Sequence, residues 1–243
     1  MSEQSVLEQM RADIQRALVK PLEQRRWAMI VDIRKCVGCH GCTVACKAEN
    51  KTPLDVDYRF VKDAEDGEYP NVRHYFMPNL CMQCDNAPCV KACKDGSVTK
   101  GKDGVVRIDY VKNTGDPKVT AACPYGVMFT DKGEYYTEDT PKREAYEDAD
   151  TFEYGKEAGR KGKIGKNRKC HYCLHRIEAG MLPACVSTCI GEANYFGDLD
   201  DSSSLVAQMA KEKGLYVFGA DFGTKPITRY LGADAYSCAK CHG

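Results

Sequence analysis

The spacing of the cysteines is the strongest constraint on what this 243-residue chain can fold into. Most of its 15 cysteines form three runs of four, and in each run the fourth follows the third after three residues. The runs are Cys36, Cys39, Cys42 and Cys46; Cys81, Cys84, Cys89 and Cys93; and Cys170, Cys173, Cys185 and Cys189. The first run has the C-x2-C-x2-C-x3-C spacing of a cubic iron–sulfur cluster. Three such runs indicate an iron–sulfur electron carrier rather than a zinc site.

The way the runs combine follows from two-cluster ferredoxins, in which the fourth cysteine of one run binds the cluster of the other run. Matching the runs in this way, together with the isolated Cys123, predicts three 4Fe–4S clusters. Group A is Cys36, Cys39, Cys42 and Cys189; group B is Cys46, Cys170, Cys173 and Cys185; group C is Cys81, Cys84, Cys89 and Cys123. Each group supplies the four thiolates that one cluster requires.

A fourth cluster, cluster D, lacks most of its ligands. A complete run ending at Cys123 would need cysteines at the positions of Asn113, Asp116 and Val119. We therefore predict that cluster D is absent and that Cys93 is a free thiol. The alternative, in which Asp116 replaces one thiolate, would still leave two positions without an iron ligand.

Composition excludes several other classes of protein. Apolar residues make up only 43% of the chain and charged residues 29%, so we expect clusters rather than a deep hydrocarbon core to cross-link the interior. Lys plus Arg and Asp plus Glu number 35 each, which leaves no net field to attract nucleic acid. No apolar stretch approaches the roughly 20 residues that span a bilayer. Arg25 and Arg26 precede no apolar segment of the kind found in a twin-arginine signal, so we expect no export signal.

These motifs resemble those of a known family. The order of the runs, the Cys123–Pro124 step, the segment APC ending at Cys89 and the final PACVSTC are similar to the iron–sulfur subunit of dimethyl sulfoxide reductase family oxidoreductases, which use a molybdenum or tungsten bis-pterin cofactor. Members usually carry four clusters, and the resemblance places cluster D in the middle of the relay. The reduced set, with CPYGVM and GTKPITRYL, is similar to the small subunit of pyrogallol–phloroglucinol transhydroxylase.

The resemblance implies a non-catalytic subunit that relays single electrons to or from a large molybdopterin or tungstopterin catalytic subunit. A free-standing polyferredoxin is the alternative, and a zinc-stabilised interaction module is a second one. The residues themselves indicate no substrate chemistry, since no catalytic triad, paired carboxylates or nucleotide-binding glycine loop is recognisable. Nucleic acid is not expected as a partner, whereas a membrane anchor or a periplasmic cytochrome is a further candidate.

The predicted fold is α+β, with tandem ferredoxin-like units and long loops. We divide the chain into an N-terminal helical arm (1–26), a double ferredoxin-like domain (27–200) and a C-terminal extension (201–243). Leu7, Met10, Ile14 and Leu18 recur at helical spacing, and their apolar face could contact a partner or its own domain. Strands are predicted at 104–111 and 193–196, a helix at 202–214, and short strands at 215–218 and 227–230. Residues 131–169 are strongly polar and predict an exposed excursion, either a solvated loop or a docking segment.

The chain ends in a different motif. Cys238, Cys241 and His242 form C-x-x-C-H, the signature of a covalent c-type haem with the histidine as one axial ligand. The second axial ligand could come from a methionine, a partner subunit or one of His40, His74, His171 and His175. The alternative is an adventitious or zinc-binding pair of thiols. We interpret the histidines inside or beside the runs as outer donors that tune the clusters.

The haem motif also bears on location. Because haem c is attached outside the cytoplasmic membrane, we expect a periplasmic protein exported as the passenger of a signal-bearing catalytic partner. Without haem, a cytoplasmic enzyme is the better interpretation.

Overall fold

The computed structural model describes residues 5–136, 138–139, 151–152, 155–156 and 160–232, which combine short helices with small sheets. The helices are α1 (Val6–Leu18), α2 (Gly41–Asn50), α3 (Pro88–Ala92), α4 (Pro117–Ala121), α5 (Arg160–Lys163), α6 (Leu174–Glu178), α7 (Ala184–Ser187) and α8 (Leu205–Met209). The strands are β1 (Trp27–Asp32), β2 (Arg59–Asp66), β3 (Arg73–Leu80), β4 (Val98–Lys100), β5 (Val106–Ile108), β6 (Phe129–Thr130), β7 (Thr151–Phe152), β8 (Gly155–Lys156), β9 (Asn167–Arg168), β10 (Asn194–Asp198), β11 (Leu215–Tyr216) and β12 (Arg229–Leu231). This mixture agrees with the predicted α+β class.

A four-stranded sheet with the order β10–β1–β12–β11 joins distant parts of the chain. Strand β1 pairs antiparallel with β10 and parallel with β12, and β11 pairs antiparallel with β12. All six residues of β1 are buried, as expected for a strand covered on both faces. The sequence-based boundary at residue 200 therefore falls inside this sheet, because β11 and β12 complete it.

Helix α1 confirms the predicted N-terminal helix and resolves which surface its apolar face contacts. Ser5 and Glu8 form a capping box at its start. Met10 and Ile14 are fully buried, and the helix packs against β10 and α8. The buried carboxylate of Asp13 accepts a hydrogen bond from the backbone N–H of Leu205 at 2.8 Å. The apolar face of α1 is thus covered by the chain's own domain rather than left for a partner.

The other predicted elements form, but most are shorter than expected. The strand predicted at 104–111 is β5, the helix predicted at 202–214 is α8, and the strand predicted at 193–196 is β10. Ser204 caps α8 by accepting a hydrogen bond from the N–H of Ala207. Two further pairs of strands, β2 with β3 and β4 with β5, are antiparallel hairpins. The second cysteine run lies in the segment that connects the first hairpin to the second. No described helix is long and apolar enough to cross a membrane.

The prediction of an exposed excursion at 131–169 is wrong at both of its ends. Asp131 is buried, as are Asn167, Arg168 and Lys169. Strand β9 pairs with β6, and the Arg168 guanidinium donates to the Asp131 carboxylate at 2.6 Å with both side chains fully inaccessible. A polar segment can be buried when its charges find partners in this way. Most of the middle of the predicted excursion lies outside the described residues.

Candidate iron–sulfur centres

Group A comes together around one cavity. Cys36, Cys39, Cys42 and Cys189 all line it, although Cys189 lies at the other end of the domain in sequence. Cys36 and Cys39 lie in the loop before α2, Cys42 lies in the first turn of α2, and Cys189 follows α7. Burial, and then the neighbouring sulfurs of Cys42 and Cys189, raise the pKa of Cys36. Cys39 is exposed, so this group reaches the surface.

Group B lies deeper in the molecule. Burial raises the pKa of Cys46 well above its ordinary value, and the sulfurs of Cys173, Cys170 and Cys185 raise it further. The four residues therefore meet, although the first belongs to a different run from the others. The side-chain amide of Asn50 lies 3.4 Å from the Cys46 sulfur and 3.8 Å from the Cys173 sulfur, so it donates toward both. All four cysteines of this group are buried.

Group C surrounds a second cavity. Cys81, Cys84, Cys89 and Cys123 line it together, and Cys123 is brought there by the turn after α4. Burial and the adjacent Cys81 sulfur raise the pKa of Cys84 to about 12. The same two causes raise the pKa of Cys89 to about 11. The isolated Cys-Pro step thus supplies the fourth sulfur, as the sequence predicted.

The donor sets fit iron–sulfur clusters. Groups A and C each place four cysteines around one cavity, and the four buried cysteines of group B lie close together. Four thiolates are the complete ligand set of a 4Fe–4S cluster. Burial and mutual repulsion raise the pKa of thiols in all three groups, so a positively charged inorganic core is what would stabilise them as thiolates. The loops also hold non-glycine residues in the left-handed region, at His40, Gln83, Tyr172 and Cys173. Such backbone conformations are typical of sites that the fold must build.

A polar network occupies the surroundings of Cys93. The Cys93 thiol donates to the Asp95 carboxylate at 2.9 Å and lies 3.4 Å from the Ser97 hydroxyl. The buried Asn113 amide donates to the same hydroxyl at 2.8 Å. Hydrogen bonds, first of all from Cys93, lower the pKa of Asp95. Asn113, which stands where a ligand of cluster D would be needed, takes part in this network instead.

The other two residues at the positions where cluster D would need ligands have structural roles. Asp116 is the N-cap of α4 and accepts a hydrogen bond from the N–H of Lys118 at 2.8 Å. Val119 is buried in the apolar core. Neither residue extends the thiol network around Cys93.

The three groups are consecutive neighbours. The sulfurs of Cys42 in group A and Cys185 in group B are close enough for the first to raise the pKa of the second, after burial. Cys81 in group C does the same for Cys170 in group B, whose pKa rises to about 12. The order is therefore A, B, C. The expectation that cluster D would lie in the middle of the relay stays a prediction, although the sulfurs of group B already lie close to those of groups A and C.

The histidines near the runs make contacts with the loops and helices around the groups, and His40 also lines the group A cavity. The His175 ring nitrogen lies 2.7 Å from the Glu49 carboxylate, which also accepts from Arg176 at 2.8 Å. The His171 ring accepts a hydrogen bond from the N–H of Leu174 at 3.1 Å. His40 is the N-cap residue of α2 and has a left-handed backbone. The contacts of His175 and Arg176 with Glu49 tie α2 to α6, and the interpretation of the histidines as outer donors stays a prediction.

The candidate haem residues Cys238, Cys241 and His242 lie outside the described residues. His74, one of the candidate axial ligands, lies on β3 and is half exposed, with a ring nitrogen 3.9 Å from the Asp63 carboxylate.

Three buried polar residues near the groups were not singled out by the sequence. Gln83 donates to the Cys170 carbonyl at 2.8 Å and accepts from the N–H of Val106, which links the second and third runs. Arg59 and Lys169 are buried cations close to the sulfurs. Nothing in the local sequence marks Arg59, whereas Lys169 could have been noticed as the residue before Cys170.

Comparison with known proteins agrees with this geometry. Residues 72–142 and 152–199 match the 4Fe-4S dicluster domain family. The chain is 46% identical to the B subunit of the selenate reductase of Mesobacillus selenatarsenatis, over 93% of this chain and 78% of that protein. It is 33% identical to the arsenate respiratory reductase iron-sulfur subunit of a Shewanella species, over 85% of this chain and 96% of that one. The B subunit of the tetrathionate reductase of Salmonella typhimurium is 34% identical, over 87% and 74%.

These relatives are iron–sulfur electron-transfer subunits, and the catalytic activity of their complexes resides on a separate subunit. The family model covers the second and third cysteine runs, and the match to the selenate reductase B subunit extends over 93% of the chain. The chain therefore belongs to the family of iron–sulfur subunits of molybdoenzyme reductases, which contain a ferredoxin-like 4Fe–4S dicluster domain.

Proposed function

We propose that the chain relays single electrons through three 4Fe–4S clusters, held by groups A, B and C, to or from a molybdopterin catalytic subunit. The observation that carries this proposal is the set of three four-cysteine groups, in which the sulfurs of Cys81 and Cys42 lie close enough to group B to raise the pKa of Cys170 and Cys185. Two tandem ferredoxin-like units would hold four clusters. The polar network around Cys93 occupies the fourth position, so three groups remain. When bound, each cluster takes up and releases one electron.

The protein's own part in this relay is to hold, order and shield the redox centres. Backbone N–H groups donate to the sulfurs, from Tyr172 to Cys170 at 3.4 Å and from Ala193 to Cys189 at 3.3 Å. Such hydrogen bonds favour the reduced form of a cluster. Group B is fully buried, which excludes water from the centre of the path.

The exposed edge of group A is where we place the catalytic partner. Cys39 is exposed, and three neighbouring apolar side chains, Val37, Val44 and Ile190, are also mostly exposed. An apolar surface around a redox centre suits a stable protein contact, because it is covered when the partner binds. The names of the relatives suggest that this partner reduces an oxyanion of selenium, arsenic or sulfur.

The test is isolation of the chain from its native host under anaerobic conditions. We expect a large molybdopterin-containing subunit to co-purify, and about 12 iron atoms and about 12 acid-labile sulfides per chain. About 16 iron atoms would mean that cluster D exists. A chain isolated alone with its clusters would favour the polyferredoxin, and a colourless zinc protein would favour the interaction module. Assays with selenate, arsenate and tetrathionate would identify the substrate.

We also propose that Cys238, Cys241 and His242 bind a c-type haem, on the basis of the C-x-x-C-H motif. The chain would then be exported as a passenger of its catalytic partner and would exchange electrons with a periplasmic cytochrome or a membrane anchor. Denatured protein should keep a haem stain on a gel, and Cys241→Ala should abolish it. If native protein carries no haem stain, a cytoplasmic location becomes the better proposal.

A further inference from the structure

Arg59 is a buried cation between groups A and B. The residue opens β2 and is 1% exposed. One guanidinium nitrogen lies 3.5 Å from the sulfur of Met29, and another donates to the side-chain carbonyl of Asn194. The guanidinium also hydrogen-bonds to Cys42 of group A and lies close to Cys185 of group B. It therefore lies close to a sulfur of each group.

This arginine has no carboxylate partner among the described residues, which is unusual for a buried charge. A second fully buried arginine shows the usual solution, since Arg168 is paired with Asp131 at 2.6 Å. Burying a charge without an opposite charge is costly. Burial lowers the pKa of Arg59, but the sulfurs of Cys185 and Cys42 raise it by more, so that its pKa lies above the ordinary value. The groups nearest to Arg59 that could carry its counter-charge are therefore the sulfurs of Cys42 and Cys185, once they hold a cluster.

Lys169 occupies the equivalent place between groups B and C. It is 2% exposed, and its ammonium donates to the backbone carbonyl of Cys170 at 2.7 Å. The ammonium also lies 3.4 Å from the side-chain amide oxygen of Gln83. It lines the group C cavity together with the four cysteines. Burial raises the pKa of Cys89 and Cys123 in group C, and Lys169 acts against this rise. No carboxylate among the described residues pairs with this lysine either.

We propose that Arg59 and Lys169 are permanent counter-cations of the electron path, with Arg59 shared by groups A and B and Lys169 by groups B and C. This inference rests on the proposed function, because it requires clusters in the three groups. Each electron adds a negative charge to a cluster, and a nearby cation that water cannot screen stabilises that charge. Group B faces both cations, so its reduced state gains the most. The two residues therefore keep the clusters of the path reducible.

The experiment is an anaerobic redox titration of the native complex, followed by electron paramagnetic resonance. Arg59→Met should lower the reduced-to-oxidised ratio of groups A and B at a given potential by tenfold or more, which is about 59 mV for one electron. Group C should not move. Lys169→Met should have the same effect on groups B and C and leave group A unchanged. The unaffected group is an internal control in each protein.

Charge-preserving variants separate charge from packing. Arg59→Lys and Lys169→Arg should restore most of each shift, because the cation returns to the same gap. Lys112→Met removes a cation whose side chain is 66% exposed and should move no potential. If Arg59→Met fails to hold its clusters, Arg59→Gln, which can still donate to Asn194, replaces it, and the Lys169 pair tests the same principle independently.

The inference is overturned if the methionine variants keep about 12 iron atoms and all potentials stay at their original values, or if all three groups shift equally. Those outcomes leave the proposed function intact. A wild-type chain without about 12 iron atoms would instead refute the proposed function, before any variant is measured.

Discussion

Replacement of Cys189 by serine should remove the cluster of group A and no other. Cys189 follows Cys185 after three residues, and a reader of the sequence alone could assign both to one centre. In the structure Cys185 belongs to group B, whereas Cys189 lines the group A cavity with Cys36 and Cys39. If each group holds four iron atoms, the variant should fall from about 12 to about 8.

Cys93→Ser is the matched control. The Cys93 thiol donates to Asp95 and accepts a hydrogen bond from the N–H of Val98 at 3.2 Å. A serine hydroxyl can make both contacts and is a poor ligand for iron. This variant should therefore keep about 12 iron atoms and all three resonance signals.

The assay combines iron and acid-labile sulfide analysis with electron paramagnetic resonance of the reduced, anaerobically purified protein. The signal lost in Cys189→Ser should be the one lost in Cys36→Ser and should persist in Cys173→Ser, which removes a ligand of group B. The reasoning is refuted if Cys189→Ser instead matches Cys173→Ser, or if Cys93→Ser loses a cluster.

Three further predictions concern stability. Ile14→Ala, in the face of α1 that packs on β10, should lower the free energy of unfolding by about 2–5 kcal/mol in chemical denaturation. The control Val19→Ala, at a side chain that is 87% exposed, should change this free energy by about 0.5 kcal/mol or less. Equal effects of the two variants would mean that α1 does not pack on the domain. Asp131→Asn should cost about 3–5 kcal/mol, because it leaves the buried Arg168 without its carboxylate, and a fully folded variant of unchanged stability would contradict the pairing. Removal of iron by a chelator without denaturant should unfold the loops around the cysteine groups, visible as loss of circular dichroism, because metal binding is coupled to folding where the ligands come from distant parts of the chain; an unchanged spectrum would oppose that view.

The N-terminal region illustrates how local patterns predict an element without its contacts. The spacing of Met10 and Ile14 predicted α1, since an apolar stripe with helical periodicity is a property of neighbouring residues. The surface that this stripe covers could not be predicted. It is formed by β10 and α8, which lie far along the chain, as the hydrogen bond from Leu205 to Asp13 across 192 residues illustrates.

The prediction that the basic end of the 131–169 segment is exposed was wrong for a related reason. Arg168 and Lys169 look like members of a solvated basic segment, because composition reports charge and not partners. In the folded chain the first meets Asp131 and the second lies beside the sulfurs of group C. Whether a charge is buried depends on the groups that the rest of the fold brings to it.

Cysteine spacing alone predicted the division of the cysteines into groups A, B and C, because ligand spacing within a run is a local property and the fourth cysteine crosses to the other run. The same spacing showed that three positions of cluster D lack thiols. The folded chain was needed to establish the order A, B, C, the inclusion of β12 beside β1 in the central sheet, and the placement of Arg59 and Lys169 between the groups. These features arise from contacts between residues far apart in the chain, and such contacts leave no periodicity or spacing in the sequence from which they could be read.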